Sequence, residues 1–268
     1  MSEEPDRLTV PASPADAQAA DARAADAWVE LRRFTPARIA LGAAGISLPT
    51  PAHLDFQEAH AAARDAVHEP LDVPRLAADL APLGQGAVLL ARSRAPDRAT
   101  YLKRPDLGRR LDLASAPSLR AAAGDFDLAF VIADGLSSRA VQRNALPLLA
   151  AVLPILAAAG WRVAPLTIAA QGRVAIGDDC AMLLGARMVA VLIGERPGLS
   201  AADSLGVYLT WQPSATTRDS ERNCLSNIRA EGLPPDQAAA KLIGLAMAAR
   251  RLGLTGIGLK ETAALPEA

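Results

Sequence analysis

Two apolar runs, each stopping on a glycine and an acid, constrain the fold of this chain more than any other feature. Residues 188–198 read Met-Val-Ala-Val-Leu-Ile-Gly-Glu-Arg-Pro-Gly, and residues 127–137 read Asp-Leu-Ala-Phe-Val-Ile-Ala-Asp-Gly-Leu-Ser. Neither run alternates apolar with polar positions, so both faces of each segment are to be covered, as in strands of a sheet flanked by helices. Each ends where a turn and a carboxylate begin, and ligands of open α/β sheets bind at that carboxyl edge. The expected fold class is α/β: a Rossmann-like open, mostly parallel sheet with flanking helices, preceded by a helical N-terminal region.

The 268 residues are ample for a sizeable buried core. With 28 basic and 29 acidic residues the net charge is −1, so no global electrostatic footprint favours nucleic acid or anionic lipid. Cys180 and Cys224 form no disulfide framework and lack the Cys/His spacing of a zinc site, which makes a reducing, cytoplasmic setting the default. The start, Met-Ser-Glu-Glu-Pro-Asp, has no basic and apolar signal-peptide regions, and Gly, Pro or charge interrupts each later apolar stretch. The expectation is a soluble chain that is not exported.

Three regions are expected. Residues 1–27 alternate Ala, Asp and Pro with few large apolar side chains and read as a flexible leader. Residues 28–123 read as a helical N-terminal region, with helical offsets over 28–39, helices at 54–68 (opened by Thr50-Pro51) and 73–80, and a short strand at 87–91. This region carries a basic stretch, 92–110, in which Arg92, Arg94, Arg98, Lys103, Arg104, Arg109 and Arg110 face only Asp97 and Asp106. It reads as a surface or interface loop. Residues 124–268 carry the α/β pattern, with strands at 128–133, 163–169, 188–193 and 207–211. Helices are expected at 139–159, capped by Ser137 or Ser138 and kinked or interrupted at Pro147 and Pro154, and at 235–252. A further helix, capped by Asp178 or Asp179, runs to Leu184, and the alternation implies right-handed parallel crossovers.

The chemistry begins with exclusions. There is no phosphate-binding Gly-x-x-x-x-Gly-Lys-Ser/Thr string, and the pairs Gly84/Gly86 and Gly256/Gly258 lack the third glycine of a dinucleotide fingerprint. Ser137 follows a strand, but Arg139 stands where a nucleophile elbow needs glycine, so an N-cap is its expected role. His53, His60 and His68 lie far in sequence from the strand ends and read as surface-helix residues. Glu195, a carboxylate directly after a buried strand, is a candidate acceptor for a ligand, with pairing to an arginine or to loop N–H groups as the equal alternative. Cys224 sits in a stretch that reads as a polar loop. A ligand-binding α/β domain without its own catalytic set is the outcome, and a non-catalytic partner or scaffold protein that binds no cofactor is the alternative.

Six strings in consistent order carry a resemblance: Ser93-Arg-Ala-Pro-Asp-Arg-Ala-Thr-Tyr-Leu102, Val131-Ile-Ala-Asp-Gly-Leu-Ser137, Gln171-Gly-Arg-Val-Ala-Ile-Gly-Asp178, Leu192-Ile-Gly-Glu-Arg-Pro-Gly-Leu199, Asp203-Ser-Leu-Gly-Val-Tyr-Leu-Thr-Trp211 and Arg222-Asn-Cys-Leu-Ser-Asn-Ile228. Together they resemble the small (light) subunit of ethanolamine ammonia-lyase, over about residues 28–260.

The resemblance implies one subunit of an adenosylcobalamin-dependent hetero-oligomeric lyase that splits ethanolamine into acetaldehyde and ammonia by a radical mechanism. A large subunit carries the catalytic residues, and the small subunit covers the cofactor. Carried over position by position, Val174, Glu195 and Cys224 fall on the family's cobalamin contacts, and Arg173 is added by adjacency. The resemblance makes residues 124–268 a cobalamin-binding domain and gives the chain a cytoplasmic setting, with the interior of a bacterial microcompartment left open. The chain has no Asp-x-His-x-x-Gly string, so base-on binding is expected, with the cofactor's own benzimidazole on cobalt.

Overall fold

The computed structural model describes residues 29–35, 37–43, 46–83 and 86–260. The leader expected at 1–27 lies outside the described residues. In chain order the elements are α1 (Thr50–His68), α2 (Val73–Leu80), β1 (Leu89–Arg92), α3 (Arg98–Lys103), α4 (Pro105–Gly108), α5 (Ala116–Ala121), β2 (Ala129–Ala133), α6 (Ser138–Ala158), β3 (Thr167–Ala170), α7 (Ile176–Leu184), β4 (Met188–Gly194), β5 (Leu205–Trp211), β6 (Arg222–Ile228) and α8 (Pro235–Leu252), with short 3₁₀ turns between.

The chain divides into two compact units, residues 1–60 and 61–268. In the first, the helix expected over 28–39 is a single 3₁₀ turn, Glu30–Phe34, and α1 begins at Thr50 as expected. In the second, six strands form one sheet in the order β1-β3-β2-β4-β5-β6. The strand near residue 89 pairs with β3 in this sheet. The α/β unit thus takes in much of the segment expected to belong to a helical N-terminal region.

Strands β1, β3, β2 and β4 are parallel, whereas β5 and β6 run antiparallel. Parallel crossovers therefore do not continue past β4. A parallel return needs a connection of about a dozen residues or more, usually a helix, and the short link from Gly194 to Leu205 contains none. Strand β6 is an element that the sequence pattern missed. It is an edge strand whose Leu225 and Ile228 are buried among exposed polar neighbours.

All five residues of β2 and all seven of β4 are buried. Phe130, Ile132, Ala190 and Leu192 turn to one face, where α6, α8 and α2 cover them. Ala129, Val131, Val189 and Val191 turn to the other, beneath α7 and α5. The period-2 alternation thus splits each apolar run between two cores.

Helix α6 is capped by Ser137, whose hydroxyl accepts the Ala140 N–H at 3.2 Å. The expected interruption at Pro147 or Pro154 does not occur, and α6 is one continuous element. An interior proline costs about 3 kcal/mol. Leu148, Leu149, Val152 and Leu156 are all buried on the sheet, each contributing about 1.5–3 kcal/mol, so packing wins. By length and composition α6 is long and apolar enough to cross a membrane, but here one face of it, including Val141, Leu148, Leu149, Val152 and Leu156, lies in the core. Helix α7 starts at Ile176 with Ala175 as its cap. Asp178 and Asp179 sit inside its first turn because tertiary partners engage their carboxylates. Asp178 pairs with Arg222, and Asp179 accepts the Leu111 N–H.

The chain leaves β2 by α6 to reach β3 on one side, then returns by α7 to β4 on the other side of β2. The direction of winding reverses between β2 and β4. Open α/β sheets form their ligand crevice at the carboxyl edge of such a reversal.

Candidate functional site

A cleft of about 480 Å³ opens at that reversal. Its walls are the ends of three strands: Gly135 and Leu136 after β2, Arg173 and Val174 after β3, and Ile193 to Arg196 at the end of β4. Tyr101, Arg109, Tyr208, Asp219 and Arg222 complete the lining.

The strand ends meet because two positions have no side chain. Gly135 adopts a left-handed φ of 58°, and a Cβ there would collide with the Gly194 carbonyl. A Cβ on Gly194 would in turn collide with the Ser137 carbonyl. The Leu136 N–H donates to Gly194 O at 2.9 Å and seals the contact.

The loop after β3 is held from below. Gln171 has a left-handed φ of 55°, a conformation that costs a non-glycine residue about 1–3 kcal/mol and persists only when its surroundings fix it. The Asp134 carboxylate does so by accepting the Gly172 N–H at 3.0 Å. Asp134 is buried and faces Arg98 at 3.4 Å. Burial pushes its carboxyl up to about 6, against the opposing pull of Arg98 and of the Gly172, Gln171 and Gly135 N–H groups. Arg98 also donates to Gly135 O at 2.8 Å and to Val67 O at 2.8 Å.

Tyr101 stands between two guanidinium groups, with Arg98 4.9 Å and Arg173 4.4 Å from its ring centre. Its hydroxyl donates to Gly172 O at 3.2 Å. Arg173 is therefore laid along the cleft wall by an aromatic face.

Glu195 accepts hydroxyl hydrogen bonds from Ser204 and from Ser226, the latter at 2.6 Å, and the Asn227 N–H at 3.1 Å. These contacts tie the end of β4 to β5 and β6. Two of the three reach Oε2, leaving room for a further donor on Oε1, which takes only Ser226. Beneath this wall Arg222 makes a buried bidentate pair with Asp178, at 2.8 and 2.7 Å, while Arg109 reaches Asp219 at 3.3 Å.

Val174, Glu195 and Arg173 thus lie on the wall of one cleft. Cys224 is in neither a loop nor the wall itself. It is on β6, directly opposite Tyr208 of β5, and Tyr208 is in the wall. Burial raises the pKa of the Cys224 thiol, with Glu195 pushing the same way, and Tyr208 is raised mainly by burial as well. The thiol is therefore protonated at neutral pH. The basic stretch 92–110 folds into α3 and α4, and several of its arginines meet distant acids: Arg92 with Asp112, Arg98 with Asp134, Arg109 with Asp219 and Arg110 with Asp179. Sequence reasoning missed Asp134 as a support, and Tyr101, Tyr208 and Arg222 as wall residues. Their membership of the six strings pointed to all four, and for Asp134 so did its place at the end of an apolar run.

The model of the ethanolamine ammonia-lyase light chain (EutC) family matches residues 25–260. That span contains every residue of the cleft. The chain belongs to the ethanolamine ammonia-lyase light chain family. A relative named ethanolamine ammonia-lyase small subunit from Pseudomonas fluorescens strain Pf-5 is 55% identical over 240 residues, covering 88% of this chain and 87% of that protein. One of the same name from Azotobacter vinelandii is 55% identical over 240 residues, covering 88% of each. Another, from Ralstonia nicotianae, is 54% identical over 243 residues, covering 89% of this chain and 90% of its own length. A light chain of this family is by its name one part of a two-part enzyme. No group of His, Cys, Asp and Glu suited to a metal ion is found among the described residues of this light chain.

Proposed function

We propose that this chain is the small subunit of an adenosylcobalamin-dependent ethanolamine ammonia-lyase, which converts ethanolamine to acetaldehyde and ammonia, and that its cleft forms half of the cofactor's enclosure. The observation that carries the proposal is the convergence of Val174, Glu195 and Arg173 on one open cleft at the winding reversal.

The cleft's chemistry suits a corrin. Cobalamin is large, nearly neutral and rimmed by amides, so it needs backbone edges, a few acceptors and apolar contact. Val174 offers backbone groups and an apolar side chain, Glu195 keeps acceptor capacity on Oε1, and Tyr208, with Cys224 behind it on the neighbouring strand, adds a neutral stretch of wall. Arg173 Nε is buried with no partner among the described residues, while the guanidinium as a whole lies along the cleft wall. The bound cofactor supplies the radical chemistry. This chain's residues bind it, orient it and keep water away from it, while a large subunit holds the substrate and the catalytic residues. No histidine lines the cleft among the described residues, which supports base-on binding. The proposed setting is the cytoplasm.

The test is reconstitution. Mixing this chain with a cognate large subunit and adenosylcobalamin is expected to give ethanolamine-dependent ammonia release. Release from this chain alone, or none from the mixture, contradicts the reading.

A further inference from the structure

The cleft's charges do not cancel. Its lining carries Arg109, Arg173, Arg196 and Arg222 against Glu195 and Asp219. Arg109 is engaged by Asp219, and Arg222 by the buried Asp178. Glu195 is occupied by hydroxyl and N–H donors rather than by a cation. That leaves Arg173 and Arg196 with no carboxylate within ion-pair distance among the described residues.

The two differ in how they are held. Arg196 is exposed at the rim. Arg173 is half-buried and built in: its guanidinium lies over the Tyr101 ring, its own N–H donates to Gly108 O at 2.8 Å, and its side-chain stem fills the space that a Cβ on Gly108 would need. Among the described residues its one side-chain hydrogen bond, to Tyr101 O, is long at 3.5 Å, and Nε has no acceptor. A cation fixed in place and left short of acceptors in a cleft is complementary to an anion.

We infer that Arg173 forms an anion subsite for the single phosphodiester in the nucleotide tail of the cofactor, so that this side chain reads the tail and not the corrin. The inference rests on the cobalamin reading of the cleft. Arginine suits the task because its planar fork meets two phosphate oxygens at once. The Tyr101 face and the Asp134-anchored loop fix that fork before the ligand arrives, lowering the entropy cost of binding.

The experiment uses the assembled two-subunit complex and two ligands, cyanocobalamin and cobinamide, the latter having the corrin without the nucleotide tail and its phosphate. Dissociation constants are measured by equilibrium ultrafiltration with absorbance detection for the native complex, Arg173→Gln and Arg173→Lys. Loss of a charge-assisted contact worth about 1.5–3 kcal/mol predicts that Arg173→Gln weakens cyanocobalamin binding by about ten- to hundredfold. Its cobinamide affinity should stay unchanged. Arg173→Lys should recover part of the loss, since lysine keeps the charge without the fork. Equal weakening of both ligands, no weakening of either, or a failure of Arg173→Gln confined to subunit assembly overturns the inference. Failure of the native complex to bind either ligand overturns the cobalamin reading itself, and is distinguishable from the other outcomes because it needs no variant.

Discussion

Gly135 and Gly194 lie back to back at the carboxyl edge of the sheet, so close that a Cβ on the first would strike the carbonyl of the second. That contact lets the turn after β2 pack directly on the end of β4 where the winding reverses.

Gly194→Ala tests this relationship. The added methyl meets the Ser137 and Asp134 carbonyls, which are backbone and unable to rotate aside. Overpacking of this kind costs about 1–3 kcal/mol, and urea unfolding should show a midpoint lowered accordingly. A variant as stable as the native chain would mean that the strand ends are free to part.

The Arg222–Asp178 pair is buried on both sides, at 1% and 5% side-chain exposure. Removing one partner strands a charge, at a cost of about 3–5 kcal/mol. Arg222→Met and Asp178→Asn are each expected to destabilise strongly, and the double variant by much less than their sum. Additive single effects in a double-mutant cycle would show that the two side chains act independently.

Asp134 gives the fold a pH dependence of unusual sign for a carboxylate. Its folded pKa of about 6 stands above the ordinary 3.8. Between these values the unfolded chain releases the proton while the folded chain retains it, so this group's contribution to stability falls as pH rises from about 4 to about 6. The full difference is about 3 kcal/mol. The stability of the native chain minus that of Asp134→Asn should therefore decline across this window and level off above it. A flat difference, or one that grows with pH, would show that Arg98 and the loop N–H groups outweigh burial.

Glu195→Gln separates a cofactor role from a structural one. The serine hydroxyls of Ser204 and Ser226 are able to reorient toward an amide, so the β4–β5–β6 junction should survive with a loss of about 1 kcal/mol. Cobalamin affinity of the assembled complex should drop. An unchanged affinity would leave Glu195 as a tie between strands only, as a scaffold protein without cofactor would use it.

Sequence alone determined the strands β1 to β5 to within a few residues, the helices α1, α2, α6, α7 and α8, the Ser137 cap, and the Gly-Glu ending that puts Glu195 at a strand terminus. All of these rest on local pattern, whether burial of consecutive positions, amphipathic spacing or turn chemistry, and local pattern is written in contiguous residues. The six strings also pointed to the family. Tertiary structure alone decided the rest, because it depends on pairs far apart in the chain. The antiparallel turn at β5 comes from a link too short for a helix. Cys224 lies on a strand because β6 gains its hydrogen bonds from β5, and a polar edge strand carries no apolar signature of its own. The arginines of 92–110 look unpaired in sequence and meet Asp134, Asp179 and Asp219 only once the chain has folded. The continuity of α6 through two prolines is decided the same way, since only the packed sheet supplies enough burial to offset their cost.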